Sequence, residues 1–146
     1  MKRNTCSYRN IIRASGIYDI IMMLPFAIPG VSGVVIDLIY QAHYGFELAG
    51  TVPSFSPFHL MFVNLMASIS IVWAVIRVAN PIALYAWYDT ATRVVIALLM
   101  LVYLFGYGVT PMIWLFVVAE IAWAVLQING YLYKNNDTSS NPRAIC

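Results

Sequence analysis

Glu120 lies near the middle of Thr110 to Tyr133, TPMIWLFVVAEIAWAVLQINGYLY, an otherwise apolar stretch. At a helical rise the carboxylate falls roughly 13 Å below the start of that segment. A charge at this depth in hydrocarbon is costly, so it faces a bundle interior, a cavity or a partner. Desolvation favours the neutral acid, which makes Glu120 a candidate proton carrier or a protonated hydrogen-bond donor. Helical spacing places Glu120, Ala124, Gln127 and Tyr131 on one stripe. Asn64 sits at a similar depth in a second apolar stretch, where it can meet Glu120 or serve as packing glue between helices. On this reading Glu120 has no basic residue in its own half of the membrane. Glu120, Asn64 and Gln127 form the candidate ligand or proton site.

A second set of groups is ionic. Asp19 lies one to two turns inside the first apolar stretch, level with Arg77 near the end of the second and Arg93 near the start of the third. Carboxylate and guanidinium groups in a low-dielectric setting pair or change protonation. Asp19 is therefore expected to pair with Arg77 or Arg93. Asp89 and Arg93 are i, i+4 neighbours, and Asp89 suits the positive end of a helix dipole as its cap. Asp19, Arg77, Arg93 and Asp89 read as an ion-pair clasp holding helices together, with a gate as the alternative. His43 and His59 are too few and too peripheral for a haem or metal set, so no metal and no cofactor is expected. Cys6 and Cys146 form no CxxC, and reduced thiols are expected. Nothing resembles a nucleophile–base pair, and the chain is read as a non-enzyme.

These groups have to be positioned by helices. Of 146 residues, 62% are hydrophobic and only 10% charged, against roughly a quarter charged in soluble domains. That excludes an ordinary soluble domain, and no basic run is long enough for nucleic acid. The predicted fold is all-α, an integral membrane four-helix bundle forming a single domain. Its spans run over about 14–38, 58–79, 90–108 and 111–133. Ser15 is expected to cap the first span, which is kinked at Pro25 and Pro29; a span ending near Ile28, followed by a short amphipathic segment, is the alternative. Ser56-Pro57 and Thr110-Pro111 each read as a cap followed by proline at the first helical position. Tyr85, Trp87 and Tyr88 are expected in a short loop at the aromatic belt, and 134–146 as a disordered tail. The eight Lys and Arg fall before span 1, around the junction of spans 2 and 3, or after span 4. The positive-inside rule then places both termini in the cytoplasm, with four crossings of the membrane between them.

Trp73-Ala74-Val75-Ile76-Arg77-Val78 and Trp123-Ala124-Val125-Leu126-Gln127-Ile128 align, as do Tyr18-Asp19 and Tyr88-Asp89. Two parallel hairpin repeats would produce that pattern, and so would the limited alphabet of apolar helices. The segments SPFHLMFVNLMASISIVWAVIRVANP, YDTATR and EIAWAVLQ are similar to a group of small, uncharacterised four-span inner-membrane proteins of bacteria. That resemblance implies location and fold but no chemistry. Four spans and a lone membrane glutamate also resemble the small multidrug resistance transporters in architecture only, since those carry their glutamate in the first span.

The functional expectation is binding or proton-linked transport of a small hydrophobic or cationic molecule in a bundle cavity at Glu120. The alternative is a non-catalytic membrane subunit or scaffold in a larger assembly. The expected partners are the lipid bilayer, a small hydrophobic ligand, and a second copy or another membrane protein; nucleic acid is not among them. Four spans form a thin wall for a pathway, which is why transport calls for a homo-oligomer.

Overall fold

A computed structural model describes residues 3–140, with side chains described over 7–133. The described residues form five α-helices: α1 (Arg3–Ala27), α2 (Val31–Gly45), α3 (Pro57–Ala79), α4 (Ala83–Gly106) and α5 (Trp114–Ser140), with one 3₁₀ turn at Pro111–Ile113. Three segments, Pro57–Ala79, Ala83–Gly106 and Pro111–Tyr133, are long and apolar enough to cross a membrane. The number rises to four if the α1–α2 pair is one broken span.

The surface is what a lipid solvent requires. Buried positions are mostly small or polar, among them Ala67, Ala74, Ala86, Ala97 and Ala124, whereas Leu65, Ile69, Val72, Leu98, Leu99 and Val102 face outward. In water such an apolar exterior would drive association; in hydrocarbon it costs nothing, and the polar groups turn inward instead. Length, composition and this inverted distribution describe a helical membrane protein.

The helix boundaries follow local chemistry. Ser56 caps α3, its side chain accepting from the His59 backbone N–H, with Pro57 at the first position. Thr110 caps the 3₁₀ turn in the same way, accepting from Met112 N, and Pro111 follows. Two starts differ from the expectation. α1 begins at Arg3 rather than at a Ser15 cap, because the basic N-terminal segment continues the helix and leaves Ser15 fully buried within it. α4 begins at Ala83, so Asp89 is an interior helical residue and not a cap, and Tyr85, Trp87 and Tyr88 lie in the first turns of the helix. Asn80-Pro81 supplies the break, and nothing between Ala83 and Asp89 obstructs helix.

Where the sequence suggests one kinked span, α1 and α2 are separate helices with a sharp break between them. Pro25 falls in the last turn of α1, where it removes a backbone donor. Gly30 adopts φ 85, a left-handed conformation favoured by the absence of a Cβ. α2 then leaves at 100° to α1. At the other end, α5 continues through residues 134–140 as helix, where the sequence suggests a disordered tail; residues 141–146, with Cys146, lie outside the described residues, as does the Cys6 side chain.

α1 packs along α3 and α5, and α5 along α4. Gly16 permits the α1–α3 approach: a Cβ there would lie 2.8 Å from Val78 Cγ2 and 3.0 Å from the Ala74 carbonyl. Among the described residues α3 and α4 do not pack along their length, although the loop joining them is short. The helices therefore run α3–α1–α5–α4 around an open α3/α4 seam. At the opposite end from that loop, α2 and the 46–56 segment are tied to the start of α5. Thr51 N donates to Gly108 O at 2.9 Å, and His43 Nδ1 lies 2.9 Å from Thr110 Oγ1.

Candidate functional site

All four long helices send polar side chains to one point. Asp89, only 4% exposed, is the hub. Its Oδ2 accepts from Arg77 Nη1 at 2.6 Å, Gln127 Nε2 at 2.7 Å and Arg93 Nε at 2.9 Å, while its Oδ1 accepts from Trp73 Nε1 at 3.2 Å. Ser15 Oγ lies 2.8 Å from Arg77 Nη1 and 2.9 Å from Gln127 Nε2. Gln127 Oε1 in turn accepts from the Thr90 hydroxyl at 2.6 Å.

Asp19 closes the other side. Its Oδ2 accepts from Arg77 Nη2 and, at 2.5 Å, from Arg93 Nη2. The clasp thus involves both arginines at once, and Asp89 sits inside it. Arg93 also reaches Glu120, with Nη1 2.8 Å from Oε2. This overturns the expectation that Glu120 lacks a basic neighbour. Because α4 begins at Ala83, Arg93 stands about 15 Å into that helix and not one turn in, a depth from which its long side chain spans to α5.

Sequence reasoning brought Asp19, Arg77, Arg93 and Asp89 together but kept Glu120 and Gln127 apart from them, and the structure collects all six. It does not bring Asn64 to Glu120. Asn64 Nδ2 instead donates to the Phe26 carbonyl at 2.7 Å and to Ser32 Oγ at 2.9 Å. There it supports the α1–α2 break, where backbone carbonyls lose helical partners. Ser15, Trp73 and Thr90 were not anticipated as site residues. Ser15 and Asp19 are i, i+4 neighbours on one face, a signal the sequence held.

The charges do not balance within this cluster. Three carboxylates, Asp19, Asp89 and Glu120, face two guanidiniums, Arg77 and Arg93. Three negatives against two positives leave one formal negative charge when all are ionised. Arg77 and Arg93 are 1% and 3% exposed, whereas Asp19 and Glu120 are 16% and 20% exposed. Asp19 Oδ1 and Glu120 Oε1 accept no hydrogen bond among the described residues. Both residues line a cavity of about 290 Å³ at the α3/α4 seam, with Trp73, Arg93, Met100 and Phe116 among its walls. Gln127 and Asn64 are not part of that lining. Among the residues with described side chains, no group of three or more His, Cys, Asp or Glu has metal-site geometry.

No family model matches this chain, and no curated protein or solved structure matches it.

Proposed function

We propose that the protein binds a small organic cation in the α3/α4 cavity, in exchange for a proton. One observation carries this reading: a charge-rich cluster with one uncompensated carboxylate opens into a cavity instead of being sealed. The excess negative charge is met either by a proton or by a cation, and each displaces the other. Asp19 and Glu120 supply acceptors at the cavity wall, and Phe116 offers an aromatic ring to a cation, while the Trp73 ring already carries the Arg77 guanidinium 5.8 Å from its centroid. Arg93 holds both wall carboxylates in place. Asp89, held by five donors, organises the arginines at the back of the same cavity.

The proposal includes a four-helix membrane bundle in the bacterial inner membrane with both termini cytoplasmic, as the Lys and Arg distribution favours. Transport through the bundle would require a homo-oligomer, with the proton exchange driving flux.

The test is ethylammonium binding to protein in lipid nanodiscs, followed by calorimetry and by the infrared carboxyl band of Glu120. Wild-type protein binds and releases close to one proton per cation; Glu120→Gln loses at least tenfold in affinity and the proton release. Equal affinity for both proteins defeats the reading. It would leave the second one, a non-catalytic membrane subunit, which the full saturation of Asp89 and its tie to all four long helices also favour.

A further inference from the structure

The charged cavity does not end at its charged groups. A second cavity, of about 400 Å³, shares Met23, Ser70 and Phe116 with it. Its remaining walls are Phe26 of α1 and Phe62, Val63, Met66 and Ala67 of α3, and they offer almost no polar surface. From Ser70 to Phe62 this apolar groove follows α3 for about 12 Å, and it opens sideways toward the lipid. One end is therefore an acidic pocket with excess negative charge, and the other is an alkyl-shaped slot, with Phe116 lying at the junction.

We infer that the ligand is a single-chain amphiphilic amine, its ammonium between Asp19 and Glu120 and its alkyl tail along α3 in the Phe62–Ser70 groove. This rests on the cation reading above and specifies the ligand class. Charge complementarity fixes the head. The guanidinium Nη groups of Arg77 and Arg93 are already occupied by Asp19, Asp89, Ser15 and Glu120, whereas two carboxylate oxygens are open. Arg77 Nε is an unpartnered donor, but it is buried away from the cavity space; an anionic head would therefore meet chiefly acceptors at the wall, whereas an ammonium, with its three donors, finds partners there. The groove fixes the tail, because an alkyl chain there touches carbon and sulfur atoms along walls whose one polar side chain, Ser70, lies at the end nearest the charged cavity. Entry is lateral, through the α3/α4 seam, so the tail need never leave an apolar environment.

The experiment uses dodecylamine carrying a diazirine at the chain terminus, photolysed on the full-length protein in phosphatidylcholine nanodiscs and mapped by mass spectrometry. The expected labels fall on Phe62, Val63 and Met66, and excess unlabelled dodecylamine removes them at least fivefold. Met66→Trp fills the groove at an exposed position; it should lose those labels and weaken dodecylamine about tenfold while ethylammonium binding holds. Two results overturn the inference while sparing the cation site: uncompeted labels spread evenly over the lipid-facing Leu98, Leu99 and Val102, or dodecylamine unaffected by Met66→Trp. If neither ethylammonium nor dodecylamine binds, the functional reading fails together with it.

Discussion

The two hairpins, α1 with α3 and α4 with α5, can be laid side by side. Asp19 then corresponds to Asp89, Trp73 to Trp123, Ala74 to Ala124 and Arg77 to Gln127. Both aspartates and both +4 residues enter one network, and both alanines are buried. The differences are as regular as the matches. Met23 and Ser70 of the first hairpin stand where the second has Arg93 and Glu120. The first hairpin thus contributes Asp19 and Arg77, which cancel, while the second contributes Asp89, Glu120 and Arg93, which leave one negative charge. Packing differs too: α1 closes on α5, but the corresponding pair, α4 with α3, stands open. The two helix pairs thus differ in net charge, and the additional charge lies beside the open seam.

The comparison breaks most visibly at the two aspartates. Asp89→Ala strips the acceptor from five donors and leaves two buried guanidiniums undercompensated, a loss expected to reach about 3–5 kcal/mol. Thermal unfolding in detergent would register it as a steep fall in midpoint, with Asp89→Asn intermediate. A variant as stable as wild type would mean that the hub is not structural. Gly16→Ala comes next. The added Cβ meets the Ala74 carbonyl and Val78, and overpacking of this kind costs about 1–3 kcal/mol. In the second hairpin Ala86 occupies the matching position and already accommodates a Cβ, so Ala86→Gly should not relieve any strain.

Asp19→Asn should cost less, about 1–2 kcal/mol, because Arg77 and Arg93 keep Asp89. Its larger effect should be on ethylammonium affinity, which calorimetry reads. Equal destabilisation by Asp19→Asn and Asp89→Asn would erase the division between a structural and a ligand-facing acid. The smallest effect belongs to neither hairpin. His43→Ala removes the Thr110 contact and should cost about 1 kcal/mol, seen as faster amide exchange confined to α2 and the 107–113 segment.

Much of this architecture could be read from residue order. Ser56-Pro57 and Thr110-Pro111 carry their own boundary chemistry, and Pro29-Gly30 marks the break between α1 and α2. The angle of that break was not legible, since it depends on how α2 docks against the start of α5 through His43 and Thr110. Asp19 and the arginines were recognisable as partners because isolated charges in an apolar chain have few choices. The Arg93–Glu120 contact was missed through one register error: with Asp89 taken as a cap, Arg93 seemed too shallow. The pairing of Asn64 with Glu120 failed for a related reason, as depth along a helix says nothing about azimuth. Asn64 turns instead toward the freed carbonyl of Phe26.

The division of charges between the hairpins also bears on how the chain enters a bilayer during synthesis. An arginine inserted alone near a helix centre, where Arg93 stands, costs about 2.5–3.5 kcal/mol. Arg77, in the last turn of α3, costs less because its side chain can reach the interface. Arg77 emerges after Asp19, so the first hairpin can insert as a neutral pair before the rest of the protein exists. Arg93 likewise meets Asp89 within its own helix, one turn away. Neither half has to wait in lipid with a bare guanidinium, and the exchange of partners that builds the shared cluster can follow as a lateral docking step between two hairpins already in place.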